Sequence, residues 1–310
     1  MAFAPRLRVP PKEPEARKRP GMEDDARRPA LLSFDEMPEW FQHDNNQCIL
    51  NGYRPISGSA RASFRSWCYL HNETVNIYSH LIPAVVFLLG EWYILQYLAG
   101  KYSRVTSTDF MAFSFFILTA TICYAFSAIY HTLMNHSYTV DHFWHRLDML
   151  GISIFIVGDI VLGVYIIFRC ETTLRNIYWS MIGLFGALTI ITNVHPKLQT
   201  HKYRSMRTLT FVATGMSVVA PLIHGLDVFG LDLMNKKAFT YTMVAKVGCL
   251  LSGTGLYAMR FPESWWPGKF DMCSSHSFMH MLVVSAAVIQ MIGYLEAFDY
   301  AYSNITCSAS

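Results

Sequence analysis

Charge is what this 310-residue chain has least of: Asp, Glu, Lys and Arg make up 15% of it, against 52% hydrophobic residues and a mean hydropathy of +0.24. Soluble domains carry about 25% charged residues, so an ordinary soluble two-domain enzyme is excluded, as is disorder of the whole chain. The scarce charges are unevenly placed. Residues 1–66 hold 11 of the 25 Lys and Arg and 9 of the 22 Asp and Glu. That split points to a polar N-terminal segment followed by an integral membrane domain. A net charge of +3, with no basic stripe interleaved with aromatics, leaves no case for nucleic acid as a partner. The seven Cys (48, 68, 123, 170, 249, 273 and 307) contain no CxxC, and several lie in apolar runs, so no disulfide framework is expected. The start, MAFAPRLRVPPKEPEARKRP, lacks the apolar region of a cleavable signal peptide, which leaves membrane insertion to the first span. No internal repeat and no barrel-type alternation competes.

Residues 1–32, rich in Pro, Arg and Glu, read as a disordered cytosolic tail. Residues 33–74 mix aromatics with turn and helix-start signals and read as an ordered juxtamembrane segment. Within it, Ser59–Leu70 carries Phe64, Trp67 and Tyr69 with Arg61 and Arg65, which fits an interfacial amphipathic helix. A bilayer core needs roughly 20 apolar residues per helix. Seven stretches qualify: about 76–98, 108–131, 147–168, 176–194, 207–227, 239–259 and 275–297. The expectation is an all-α integral membrane protein, a seven-transmembrane helix bundle over 75–298 with a short outer tail, 299–310. Seven spans put the termini on opposite sides. The short loops alone split 7 basic residues against 6, so the 11 in the N-terminal segment decide: N-terminus cytosolic, C-terminus outside. Asn304-Ile305-Thr306 is then an outward sequon.

Ionisable residues inside spans are expensive and mark function. His276 and His280, in HSFMH, are four apart and share one helix face. His131 ends the second span and Asp148 opens the third. Because span two ends where spans three and seven begin, all four lie near one face of the membrane. Three imidazoles with one open position is a catalytic zinc pattern, and a nearby carboxylate could act as base for the zinc-bound water. The same residues at an interface could instead cap helix ends, and spacing leaves both readings open. Asp159 lies 11 residues from Asp148 and Lys246 lies 11 from Tyr257. Equal depth then predicts a pair across spans three and six, or one of the two lining a polar cavity.

The segments LNGYRP (50–55), LHNETVNIYSHL (70–81), SAIYHTLMNHS (127–137), LDMLGI (147–152), GMSVVAPLIHGL (215–226) and RFPESWWPGKFD…SHSFMHMLVVSAA (260–287) occur in order and at matching spacing. In these the chain resembles the progestin and adipoQ receptor family, also called haemolysin III-related. It is closer to the adiponectin-receptor branch, with its fungal members, than to the bacterial proteins. The resemblance covers about residues 33–297. It implies Zn2+ as cofactor with His131, His276 and His280 as ligands, and Asp148 at the zinc-bound water as general base. Ser127 would orient substrate or water, and Arg207 and Tyr257 would contact the polar end of a lipid. Glu73, Asn72 and Asn76 belong to the family's first motif and read as helix-start and packing residues, and His80 as structural. His136, His142 and His145 read as a solvated loop.

The implied function is a zinc-dependent lipid-amide hydrolase, ceramidase-like, with a zinc-activated water attacking the amide near the cytosolic leaflet. It can coexist with an adiponectin-receptor-like receptor role. Implied partners are a membrane lipid (ceramide, sphingoid base or free fatty acid) and an extracellular protein ligand, in the plasma membrane or an endomembrane. The competing readings are a non-enzymatic receptor with structural zinc and a regulator of zinc and sterol or lipid homeostasis.

Overall fold

The computed structural model describes residues 29–42, 47–199, 203–237, 240–305 and 307. The expected tail lies outside the described residues up to position 28. The described chain is helical: α1 Ala60–Arg65, α2 Thr74–Lys101, α3 Ser107–Leu133, α4 Tyr138–Ile167, α5 Thr172–Val194, α6 Arg204–Met216, α7 Val219–Lys237, α8 Thr240–Met259 and α9 Ser275–Asn304. Six helical stretches among the described residues are long and apolar enough to cross a membrane. These are α2, α3, α4, α5, the α6–α7 pair over Ser205–Lys237, and α9. The expected sixth span coincides with α8, a shorter helix laid along α9 that is not among these six. The chain is thus a multi-pass integral membrane protein.

Helix α3 packs between α2 and α4, and α9 reaches α2, α4, α7 and α8. Lipid is as apolar as leucine, so close packing and small residues hold such helices together. At Gly158 of α4 a Cβ would sit 1.9 Å from Thr119 Oγ1 of α3, so only glycine allows this approach. Phe113, Phe116, Leu162, Tyr294 and Phe298 fill the core beside that contact.

Several boundaries differ from expectation, α9 among them, since it runs to Asn304 and takes in the first residues of the expected outer tail. Helix α4 begins at Tyr138, nine residues before its apolar run, so His142 and His145 lie on a helix and not in a loop. Hydropathy marks the depth of the bilayer, whereas α4 extends past it through the polar turns YTVDHFWHR. The fifth stretch is two helices, broken at Ser217 and Val218. Pro221 in the first turn of α7 has no N–H to offer the carbonyl of Ser217. The expected amphipathic helix at 59–70 is only α1 followed by a 3-10 turn, Ser66–Cys68.

The cysteine expectation is corrected: Cys170, just past α4, is bonded to Cys307, just past α9. The partners are 137 residues apart, and only the common height of two helix ends brings them together.

The segment before α2 forms a cover over the end of α3. Leu32 and Tyr53 exchange backbone hydrogen bonds, and Met37, Phe41, Ile49 and Tyr53 pack on Met134. The cover is tied to the loop before α9 by Asp271, which accepts from the backbone N–H of Leu50 (2.9 Å) and Asn51 (3.0 Å).

The two membrane charges pair as anticipated. Lys246 of α8 donates to Asp159 Oδ2 of α4. Removing one partner leaves an uncompensated buried charge, whereas removing both is often tolerated. Asp159→Leu is therefore expected to cost about 3–5 kcal/mol. Adding Lys246→Leu is expected to restore most of the loss, as read by thermal unfolding of purified protein. Equal destabilisation in the single and double variants would show that the pair carries no coupling.

Candidate metal centre

His131 is carried in the last turn of α3, and His276 and His280 in the first two turns of α9. Their ring centroids are 5.1 Å (131–276), 5.0 Å (131–280) and 4.5 Å (276–280) apart. One ring nitrogen from each lies within 4.8 Å of the others, close enough to hold a metal ion. Nε2 of His131 and of His276 is buried with no hydrogen-bond partner. An unpaired buried polar atom costs roughly 1–3 kcal/mol, and two of them facing one small space suit a Lewis acid.

The outer nitrogens of His131 and His280 are accounted for by the start of α2. His131 Nδ1 lies 2.8 Å from Glu73 Oε2, and Asn76 Nδ2 donates to the same oxygen at 2.7 Å. His280 Nδ1 is 3.1 Å from Ser79 Oγ. Asn76 Oδ1 in turn accepts from Ser277 Oγ at 2.6 Å, one residue past His276. A carboxylate on Nδ1 fixes the tautomer of His131 and leaves Nε2 as the free donor pair. Burial acts to raise the Glu73 carboxyl, but the hydrogen bond and charge of His131 with the Asn76 amide hold it down at about 2. His80 stacks on His280 at 3.7 Å and 5°, fixing its ring plane.

A buried arginine sets the height of His131. Arg54 Nη2 donates to the His131 carbonyl (2.6 Å), and Nη1 donates to the Thr132 carbonyl (2.9 Å) and Ser66 Oγ (2.8 Å). These carbonyls are unpaired because α3 ends there, and a cation suits the negative end of the helix dipole. Burial lowers the Arg54 pKa to about 10, with the nearby Glu73 charge opposing it, so the side chain stays charged at neutral pH.

The remaining anticipated residues divide. Asp148 is buried on α4, near enough to feel His131 and Ser127, but it is not among the three clustered ligands. Ser127 is buried one turn before His131, and its hydroxyl interacts with Asp148. Tyr257, near the end of α8, packs edge-on against His276 with centroids 5.2 Å apart. Arg207 stands apart from these contacts. It donates to the Leu198 carbonyl (2.5 Å) and lines a cleft of about 340 Å³ with His145, Arg146 and Asn193. Tyr130 spans the interval, with its ring 5.2 Å from His145 and 4.9 Å from His131.

Sequence reasoning missed the supporting role of Glu73, Asn76, Ser79 and Arg54. Glu73, Asn76 and His80 fall at i, i+3 and i+7, one face of a helix, and that polar stripe was the available signal.

Fold and site together define a multi-pass helical membrane protein with a largely buried three-histidine cluster that could hold a metal ion. The chain belongs to the haemolysin-III related family, whose model matches residues 68–291. It is 34% identical over 277 residues to the ADIPOR-like receptor IZH2 of Saccharomyces cerevisiae, covering 88% of this chain and 85% of that one. It is 32% identical over 279 residues to Progestin and adipoQ receptor-like protein 1 of Caenorhabditis elegans, covering 89% and 63%. It is 30% identical over 334 residues to Heptahelical transmembrane protein ADIPOR1 of Oryza sativa subsp. japonica, covering 90% and 87%. The chain spans 63% of the nematode relative and 62% of the Adiponectin receptor protein of Drosophila melanogaster. It is an adiponectin-receptor-like membrane protein.

Glu73→Gln keeps the shape of the side chain and removes the charge that holds His131. Metal affinity, measured by competition with a chromophoric chelator, is expected to fall roughly 10- to 100-fold. An unchanged affinity would show that Glu73 does not orient a ligand.

Proposed function

We propose that the protein is a seven-helix, zinc-dependent lipid-amide hydrolase, ceramidase-like, with the site near the cytosolic leaflet. The carrying observation is the pair of buried, partnerless Nε2 atoms of His131 and His276 beside His280, with a buried carboxylate, Asp148, nearby. Three imidazoles suit zinc and leave a position open. A zinc ion held there would polarise a carbonyl and lower the pKa of bound water toward 7. Asp148 accepts the proton of the attacking water and returns it to the leaving amine. Ser127, one turn from His131, orients the carboxylate or the substrate carbonyl. Tyr257, against His276, holds the polar end of the lipid, and Arg207 receives the product carboxylate from the adjoining cleft. The substrate class is ceramide, releasing a sphingoid base and a free fatty acid.

The names of the relatives favour a second reading, a membrane receptor in which zinc is structural. Metal analysis and ceramide hydrolysis on purified full-length protein separate the two. Wild type is expected to carry one zinc and to hydrolyse ceramide. His276→Ala should lose the metal, and Asp148→Ala should keep it while losing roughly 10²- to 10⁴-fold in rate. A wild type that holds zinc but hydrolyses no faster than Asp148→Ala sinks the enzyme reading and leaves the receptor.

The seven-span reading rests on α8, whose 20 residues reach about 30 Å, the thickness of a bilayer core. Its one charge, Lys246, is paired. The orientation, N-terminus cytosolic and C-terminus outside, draws support from the Cys170–Cys307 bond, since disulfides persist in oxidising compartments. Membrane-impermeant maleimide on intact cells, after impermeant reduction, should label Cys170 and Cys307 but not Cys48. Labelling of Cys48 from outside would reverse the orientation.

A further inference from the structure

Beneath the histidine cluster the bundle holds a second polar place that the proposed hydrolysis does not use. The helices that supply Asp148, Tyr257 and the histidine pair each send a second polar residue inward. These are Asp159 of α4, Lys246 of α8, and Gln290 and Tyr294 of α9. Eleven residues of helix put Asp159 about 16 Å deeper than Asp148. With Val218 and Met243, these four residues line a cavity offering about 40 Å³ to the centres of water molecules.

The hydrogen-bond inventory of this cavity does not close. The Tyr294 hydroxyl gives its one proton to Asp159, lying 2.5 Å from the backbone oxygen and 2.9 Å from Oδ1. Lys246 gives one proton to Asp159 Oδ2, and its ammonium carries two more. Gln290 is 3% exposed, and its Oε1 is buried with no partner. Surplus donors on one wall and an unfilled acceptor on another, at bilayer mid-depth, leave a gap that apolar side chains cannot fill. A single water needs about 10–15 Å³ and two to four polar partners, whereas a cavity lined only by hydrocarbon stays dry.

We propose that this cavity is an internal hydration site, in which a small water cluster bridges the Lys246 ammonium to Gln290 Oε1 and solvates the Asp159–Lys246 pair. The water is part of the α4–α8–α9 joint.

Radiolytic footprinting of the full-length protein in detergent, read by mass spectrometry, tests the proposal, because hydroxyl radicals mark buried side chains that sit beside ordered water. Met243 should be oxidised well above Met234, which is packed in an apolar cluster with Ile160 and Val164. Tyr294 should be labelled although it is 2% exposed. In the Asp159→Leu/Lys246→Leu double variant, labelling of both should fall to the Met234 background. Gln290→Leu keeps the ion pair and removes the unfilled acceptor together with the amide that meets the Tyr294 hydroxyl, so labelling should fall there too. Background labelling at Met243 and Tyr294 in wild type, or labelling that neither variant lowers, overturns the proposal.

Discussion

Hydrocarbon offers no hydrogen bonds, so a polar group carried into it must find its partner in the same chain or in something the chain holds. The placing of polar residues here follows from that constraint. Buried Asp109 at the start of α3 takes the Tyr165 hydroxyl at 2.6 Å and meets Arg169 at 3.4 Å. Buried Lys237 donates to the Ile167 carbonyl at the frayed end of α4 (3.1 Å). Thr189 and Thr214 share a hydrogen bond across α5 and α6 at 2.8 Å. The bare Nε2 atoms of His131 and His276 differ from other unpartnered buried atoms, such as those of His80 and Tyr124, in sharing one space with a third imidazole. They are the argument for a metal because they converge with His280 within ligating distance of one another.

The cover before α2 does for backbone groups what those pairs do for side chains. Helix α3 stops at Leu133, leaving its last carbonyls without partners, and Arg54 reaches in from the cover to take two of them. Trp67 donates to Thr132 Oγ1 at 2.9 Å, and Asn135 in the next turn takes the Ser63 hydroxyl at 2.9 Å. The chain can reach these groups because Gly52, at φ +89, turns it over Asn72, where a Cβ would press 3.3 Å from the backbone nitrogen. Sealing α3 in this way also holds His131. Its carbonyl is gripped by Arg54 and its ring by Glu73, so backbone and side chain are fixed from separate directions.

The membrane helices were legible because low charge and long apolar runs report the same physics, the transfer of side chains into lipid. What hydropathy could not report was helix beyond the lipid or helix interrupted within it. The turns of α4 around His142 and Arg146 are helical but polar, so they read as loop. Pro221 was visible, yet prolines are common in membrane spans and did not announce the break at Ser217. The Cys170–Cys307 bond joins positions related only through the packed bundle, which no local pattern encodes. At the site, His131, His276 and His280 were readable because chain parity fixes depth and a four-residue step fixes a face. Glu73 was discounted because it sits at the N-cap of α2, where carboxylates are ordinary. Its role depends on the distance to another helix.

Depth reasoning succeeded at both polar layers for a mechanical reason. An α-helix is stiff over the eleven residues separating Asp148 from Asp159, and over the eleven separating Lys246 from Tyr257. Two residues set at one height on neighbouring helices therefore keep a second pair at one height further along. The layers are consequently not independent. Helices α4, α8 and α9 contribute to both, so a tilt of α8 that drew Lys246 away from Asp159 would have to move Tyr257 against His276, or bend the helix in between. Gly248, Gly253 and Gly255 fall in that interval, and Gly253 lies close against α9, with Met279 Cα at 3.4 Å from where its Cβ would be. Close contact of that kind resists sliding more than it resists bending, so the inner ion pair constrains the geometry at the histidines chiefly through the height of α8.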